Sequence, residues 1–533
     1  MNNASLMVKM LERAGVRWAF GIPSGPVLPL IEALRDSSVK YVLTASETSA
    51  AFMAQAVGAI TGIPGVCVST LGPGATNLTT GVGAAWLDRT PLIAITCNVP
   101  TAWLNRRIQM RIDHQALFQP LTKASFQLRH GNVAETLSNA LAIACAEPPG
   151  PVHLDLPEDV SSAATTEELS PFQQRAVAPL PEISDRVRTT VADALSKSKR
   201  PLLVAGLTVT RSNARQSLLE FIERQHLPYV LTLHAKGFLP EKHPNYMGVI
   251  GRARRSDVQA FVREADLILS VGYDPIEINY EEWTGEIPII HVSSEPTETS
   301  RQVNLLLNAA GDMDSAIRSI AQLPSKSNDW TPEQLKAHRE RLERNLRPQS
   351  QGFAPYEVLD LLREKLPEDG ILVYDVGAHT HQIATQWRTN LPWTCNCTNG
   401  WSSMGYGLPA AYATKLVYPG RLVVGVVGDG CFQMTAGEVA VARRERLAVP
   451  VVVLNDGWLS LLKIKQEHKN YGLSGVRLGD QVDSPPHYFG VPCRSARNRE
   501  QFAEALEWGF TLGGPSIIEA FVDPQSYSYT VYD

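Results

Sequence analysis

Short apolar runs alternate with helix-spaced stretches along almost the whole chain. Residues 18–23, 41–44, 65–70, 92–96 and 151–156 read as buried strands, with amphipathic helices at 6–14 and 27–34. The pattern resumes with strands at 201–205, 229–232, 267–271 and 289–292, and again at 371–374, 422–427, 450–454 and 516–521. Two stretches interrupt it: 161–182 is rich in Thr, Glu, Ser, Gln and Pro, and 324–352 is polar and charged with room for one helix. Strands that alternate with helices form parallel sheets covered on both faces. The expected fold is three doubly wound α/β domains in series, at 1–165, 183–322 and 353–533, joined by those two linkers.

The third domain carries the densest chemistry. The run 422–427 ends in Gly428-Asp429-Gly430, a helical stretch is expected at 435–447, and the next strand ends in Asn455-Asp456-Gly457. A βαβ unit puts both triplets at the carboxyl ends of neighbouring strands, where open α/β sheets hold ligands. Asp429 offers a carboxylate, Asn455 a side-chain carbonyl and Gly457 a main-chain carbonyl. These are hard donors for a Mg²⁺ that completes its shell from phosphates and water. Gly430 and Cys431 place main-chain N–H groups where a diphosphate can come close. A lone Gly-Asp-Gly is also an ordinary turn; the second triplet, one strand-helix-strand unit on, is what suggests a clamp. In the first domain Ser46 and Glu47 stand between a strand and a small-residue helix. Ser46 reads as a cap, and Glu47 as a dipole partner contributing about 0.3–1 kcal/mol or as an active acid.

Length and composition agree with this picture and narrow it. A chain of 533 residues suits about three domains, and 44 % hydrophobic with 19 % charged residues is an ordinary globular balance. A net charge of −5 without a basic tail gives no nucleic-acid surface. The seven cysteines, among which Cys395 and Cys397 form the one close pair, lack zinc spacing and suggest reduced thiols. The start has no secretory pattern and no apolar run reaches membrane-spanning length, so a cytoplasmic location is expected.

Several segments carry a resemblance. Beside the Gly-Asp-Gly and Asn pattern stand residues 47–64 with Leu71-Gly72-Pro73-Gly74-Ala75-Thr76-Asn77, then Asp375-Val376-Gly377-Ala378-His379, then residues 401–411. Together, over nearly the whole chain, they resemble the thiamine diphosphate (ThDP) enzymes of the acetolactate synthase and pyruvate decarboxylase superfamily. The resemblance implies ThDP and Mg²⁺ as cofactors and Glu47 as the catalytic acid, hydrogen-bonded to N1′ of the aminopyrimidine to favour its imino tautomer. It implies cofactor contacts from Gly377, Ala378, His379, Asp429, Gly430, Cys431, Asn455 and Gly457, with Met404 beneath the rings and the Ser402 carbonyl facing the 4′-amino group. Read alone, His379 is more often a satisfied core or surface residue, and a buried Met such as Met404 is usually core filler. The activity implied is decarboxylation of a 2-oxo acid and transfer of the acyl carbanion to a carbonyl acceptor. Pyrimidine and diphosphate would be held by different subunits, making a homodimer the smallest active unit and a homotetramer compatible.

Within the superfamily, residues 265–277, 466–469, 473–476, 51–54 and 56–58 look like those of catabolic, flavin-independent acetolactate synthases. Residues 205–209 hold one glycine where a dinucleotide fingerprint has three, so FAD is expected to be absent. Departures fall on the substrate side, where the resemblance places Gly25, Arg111 and Ile464. Ser46 stands where His is common before the acid, Gln109-Met110-Arg111-Ile112-Asp113 replaces Phe-Gln-Glu-x-Asp, and Ile464 replaces the Trp of many anabolic members. Arg111 reads as a fork for an anionic partner, or as a solvated or ion-paired cation. The alternatives to a carboligase are a non-ligating 2-oxo acid decarboxylase, a flavin-dependent oxidase, and a cofactor-binding scaffold without catalysis.

Overall fold

A computed structural model describes residues 1–169, 180, 182 and 185–531. Three sheets follow one another along the chain. The first has the spatial order Lys40–Leu43, Trp18–Gly21, Gly65–Ser69, Leu92–Asn98, Pro151–Pro157, Ala124–Gln127, parallel throughout. The second runs Leu305–Ala310, Ile289–Ser293, Leu267–Val271, Pro201–Ala205, Tyr229–Leu231, Tyr246–Val249, also parallel. The third runs Cys395–Asn396, Ile371–Tyr374, Val423–Gly428, Pro450–Asn455, Ser516–Phe521, Val491–Ala496, His487–Tyr488. Its last pair is antiparallel, the one exception to the expected parallel sheets among the described strands. Every strand expected from an apolar run is present.

Helices cover both faces, so strand side chains alternate between two apolar layers. Phe20, Cys67 and Ala94 pack to one side of the first sheet; Ala19, Val66, Val68, Ile93 and Ile95 pack to the other. The side holding Phe20 is shared: the helices Glu47–Thr61 and Pro73–Leu87 lie in one continuous core with the helix Gly407–Val417 and with Val427, Val451 and Ile517 of the third sheet. Packing there is close enough that a Cβ on Gly81 would come 2.4 Å from that of Ala51.

Two expectations need correction. The single helix at 435–447 is instead a short helix Asp429–Thr435, a 3₁₀ turn Ala436–Glu438 and a helix Val439–Glu445. Gly437 weakens the helix at the break, and a Cβ there would come 3.2 Å from Ala45 Cβ of the first unit. The linker does not begin at 161, because residues Glu158–Ser162 form a helix with Val160 and Ser161 buried. The rest of that linker lies mostly outside the described residues. The second connector contains the helix Pro332–Asn345, whose Leu335 and Leu342 belong to the core of the central unit. Among the described residues no helix is long and apolar enough to cross a membrane.

Candidate active site

Three strand ends of the third sheet converge. At the end of Val423–Gly428, Asp429 opens the next helix and is 8 % exposed. Its Oδ1 accepts from Gly430 N at 2.8 Å and its Oδ2 from Gly457 N at 2.8 Å, so the two triplets are tied directly. Gly457 has a φ of +74°, and a Cβ there would meet the Gly479 carbonyl at 2.7 Å; both facts call for glycine. Asn455 closes the neighbouring strand, and its Nδ2 donates to Glu519 at 2.7 Å. That bond fixes the amide and leaves Oδ1 as its outward donor atom. Burial, with the Glu519 charge adding, pushes the Asp429 carboxyl up to about 6. Burial and the neighbouring Asp429 push Asp456 up to about 7.

This donor set fits a divalent cation. The carboxylate is short of positive charge, and an amide oxygen and a main-chain carbonyl stand beside it. No group of three His, Cys, Asp or Glu side chains gathers among the described residues. A cation here would therefore draw further ligands from a bound phosphate and from water, as Mg²⁺ does.

The strand end at Tyr374 supplies the next wall. Asp375 is fully buried, and its carboxylate accepts from the N–H groups of Val376 (2.7 Å), Gly405 (2.9 Å) and Gly407 (2.8 Å). Burial pushes this carboxyl up against the pull of those amides. The effect is to lash the loop carrying Met404 to the loop carrying Gly377. Cys431 reinforces the joint, its thiol donating to the Val376 carbonyl at 3.1 Å. His379 follows Ala378 at the head of the helix Ala378–Gln386 and is 5 % exposed. Its ring lies 2.9 Å from where a Cβ on Gly377 would stand and 3.2 Å from one on Gly428. Burial holds the imidazole neutral, with its pKa down at about 4, and its Nε2 has no partner. An orphaned ring nitrogen beside two strand-end loops fits a ligand group at that point. A Cβ on Gly430 would meet Met404 Cε at 3.2 Å, so the thioether overhangs the clamp. Ser402 has a φ of +52°, unusual for a residue with a Cβ and costing roughly 1–2 kcal/mol. Its hydroxyl donates to the Asn399 carbonyl.

Asp88 of the first unit holds this loop from behind. It accepts from Thr398 Oγ1 (2.6 Å), Asn399 N (3.2 Å), Gly400 N (2.7 Å) and its own unit's Gln55 (2.8 Å). His234 of the central unit faces Asp88 at 3.5 Å, and its Nδ1 lies 3.1 Å from Glu277. Burial opposes the imidazolium, but the two carboxylates outweigh it and the His234 pKa is raised.

Glu47 opens the helix Glu47–Thr61 with 8 % exposure. Ser46 caps that helix by accepting from Ser49 N at 3.1 Å, and Asn77 Nδ2 donates to Glu47 Oε2 at 3.0 Å. Gly74, over which the carboxylate lies, has room for no more than a hydrogen; a Cβ would sit 3.3 Å from Glu47 Oε1 and 2.9 Å from Thr70 Cγ2. Gly72, two residues earlier, has a φ of +62° and packs under the Met110 carbonyl, where a Cβ would stand 2.5 Å away. The loop bearing Arg111 therefore lies over residues 72–74. Arg111 is partly buried, its Nε has no hydrogen-bond partner, and among the described residues no carboxylate pairs with it. Gly25 is exposed with open space beside it.

Within one chain, then, residues 377–379, 402–405, 428–431 and 455–457 come together. Glu47, Arg111 and Gly25 lie on the first unit. Ile464 is 2 % exposed and packs with Ala378, Tyr527 and Val531, at the back of the diphosphate-side loop. Asp88 and Glu519 escaped the sequence reading, and Asp375 entered it only as part of the resembling motif, with no role of its own. For Asp375 a signal existed, an acid placed directly at a strand's carboxyl end; for Asp88 and Glu519 the partners are distant in sequence.

Three family models match the chain in order: the thiamine pyrophosphate enzyme N-terminal TPP binding domain over residues 1–117, the central domain over 188–320, and the C-terminal TPP binding domain over 375–520. Acetolactate synthase of Bacillus subtilis is 31 % identical over 98 % of this chain and 93 % of its own length. Acetolactate synthase isozyme 1 large subunit of Escherichia coli is 31 % identical over 99 % and 95 %, and a probable acetolactate synthase large subunit of Methanocaldococcus jannaschii 30 % over 98 % and 92 %. Identity to these three is level, so it does not sort the chain among them.

Proposed function

Since the chain belongs to the acetolactate synthase family of thiamine diphosphate enzymes, we propose that it is a ThDP- and Mg²⁺-dependent carboligase. It decarboxylates a 2-oxo acid and joins the acyl fragment to a second carbonyl compound. The observation that carries the assignment of the site is the bond from Gly457 N–H to Asp429, which sets a buried carboxylate, the Asn455 amide oxygen and the Gly457 loop around one point. When bound, ThDP supplies a carbon nucleophile and takes up the electron pair left as CO₂ departs.

The protein's part is to hold and to orient. Asp429, Asn455 and Gly457 would take the cation. The loops at Gly377, Ala378 and His379 and at Gly430 and Cys431 would take the diphosphate. Met404 would lie beneath the bound rings, and the Ser402 carbonyl would face the 4′-amino group. Glu47 stands in a dry setting at the head of its helix, steadied by Asn77, and would hydrogen-bond the aminopyrimidine. Arg111, which no carboxylate pairs among the described residues, would read a negative charge on the reacting compounds.

FAD is not part of this reading. In the loop after Pro201–Ala205, where a dinucleotide would look for amide donors, Gly206, Leu207, Thr208 and Val209 N–H already bond to Val271 O, Glu277 Oε2, Gly272 O and Gly206 O.

Calorimetry on Asp429→Ala tests the clamp: Mg²⁺-dependent ThDP binding should disappear, and retained affinity would remove the assignment. Product analysis tests the reaction. Pyruvate and longer 2-oxo acids, with and without added aldehydes, should give CO₂ together with hydroxyketone or acetohydroxyacid products. Aldehyde alone would mean a simple decarboxylase, and stoichiometric flavin released on denaturation would reopen the oxidase.

A further inference from the structure

The 3₁₀ turn that breaks the helix at 436–438 ends in Glu438, a residue of the third unit whose carboxylate serves the first. Its Oε1 accepts from Ala45 N at 3.0 Å and from Ser46 N at 3.1 Å. Glu438 is 1 % exposed, and beside the two amides its carboxylate also bonds the Ser49 side chain on the helix that Glu47 opens. Ala45 and Ser46 join the strand Lys40–Leu43 to the helix that Glu47 opens, and among the described residues nothing else accepts from their two N–H groups. The helix itself is anchored from Ser46 onward by its cap. Beside the Thr44 hydroxyl, which donates to the Ser46 carbonyl at 2.8 Å, the Glu438 carboxylate sets where the main chain delivers Ser46, and therefore Glu47. Gly437 permits the approach, since its missing Cβ is the space that Ala45 needs. Burial pushes the Glu438 carboxyl up to about 7, the ordinary consequence of holding a charge between two packed units.

We propose that Glu438 is a positioning residue, gripping the Ala45 and Ser46 amides from the neighbouring unit so that the Glu47 carboxyl stands where the reaction needs it. This rests on the reading of Glu47 as the acid that activates the cofactor. The grip works through an acceptor oxygen rather than through a proton or a charge. A glutamine keeps one such oxygen at the same reach, an aspartate falls short by one methylene, and alanine has none. A displacement of the order of 1 Å at a reacting group costs about a hundredfold in rate.

The test compares Glu438→Gln, Glu438→Asp and Glu438→Ala with wild type and with Glu47→Gln. The first readout needs no cofactor: amide hydrogen exchange of the peptide spanning residues 45–47 in the unloaded protein. Protection should survive in the Gln variant and fall at least tenfold in the Ala and Asp variants. In the loaded enzyme, kcat and exchange of the ThDP C2 proton should fall roughly a hundredfold for Ala and tenfold for Asp, staying within about threefold of wild type for Gln. ThDP affinity and KM should shift little. If the Ala variant does not fold, the contrast between Asp and Gln carries the same decision. Equal losses for Gln and Ala would overturn the proposal in favour of a role for the charge or the proton. Wild-type exchange at 45–47 in the Ala and Asp variants would also overturn it. Full C2 exchange in Glu47→Gln, with protection at 45–47 still lost in Glu438→Ala, would instead mean that the reading of Glu47 is wrong while the grip is real.

Discussion

Arg111 is a partly buried guanidinium that no carboxylate pairs among the described residues. If it reads an anion, Arg111→Ala should raise KM for the charged partner about ten- to a hundredfold, the cost of one charge-assisted contact in a dry site. Arg111→Lys should recover only part of that, and ThDP affinity should hold in both. Equal losses with charged and neutral acceptors would remove Arg111 from substrate recognition. His234 makes a separate, pH-linked prediction. Its pKa is raised by Asp88 and Glu277 against burial and against the nearby Arg252. Raised in the folded state, it stabilises fully below its unfolded value near 6.5, and that contribution is lost as pH climbs through the higher folded value. Melting temperatures measured from pH 6 to 9 should fall more steeply for wild type than for His234→Asn; parallel curves would mean the imidazole stays neutral. Single residues were legible in the sequence when their role is local. Asp429, Asn455 and Glu47 sit at strand ends and helix starts, and pattern alone brings out such places. Asp88 and Glu438 are not legible in this way, because each takes its meaning from amides on another unit.

Elements were read best where both faces are covered. Pro201–Ala205 and Ile371–Tyr374 are unbroken apolar runs, Leu267–Val271 is broken only by Ser270 and Ser516–Phe521 by Ser516 and Glu519, and all four are buried at every position. Strands at or near sheet edges lack that signature: Ala124–Gln127 is half-buried throughout, Leu305–Ala310 alternates, and Cys395–Asn396 has two residues. The broken helix after Asp429 was missed because its break answers to Ala45, far away in the chain. The packing of Glu47–Thr61 on Pro73–Leu87 gives a prediction at this scale. Gly81→Ala would push a methyl into Ala51 at 2.4 Å. Stability in urea should drop by about 1–3 kcal/mol, the usual cost of overfilling a core. An unchanged midpoint would mean that the two helices can slide apart.

At the scale of the whole molecule, Glu47 and Asp429 stand on different units, and among the described residues no hydrogen bond or ion pair joins them. Large apolar side chains stand exposed on both units, Trp103, Ile108, Met110 and Ile112 on one and Met434, Leu462 and Leu473 on the other. If each site takes Glu47 from one protomer and Asp429 from its partner, inactive Glu47→Gln and Asp429→Ala chains should complement when co-expressed. Half the dimers would then be hybrids with one intact site of two, giving about a quarter of wild-type activity. No recovery in verified hybrids would place each site within a single chain. Asp88 carries a different consequence, one of time. Thr398 lies 310 residues further along the chain. At ribosomal speeds of roughly 5–20 residues per second, about 15–60 s pass before this partner exists. Through that interval the first unit waits with a carboxylate and an apolar helix layer uncovered. A nascent chain arrested before residue 398 should therefore be held by chaperones, and one released past it should let go.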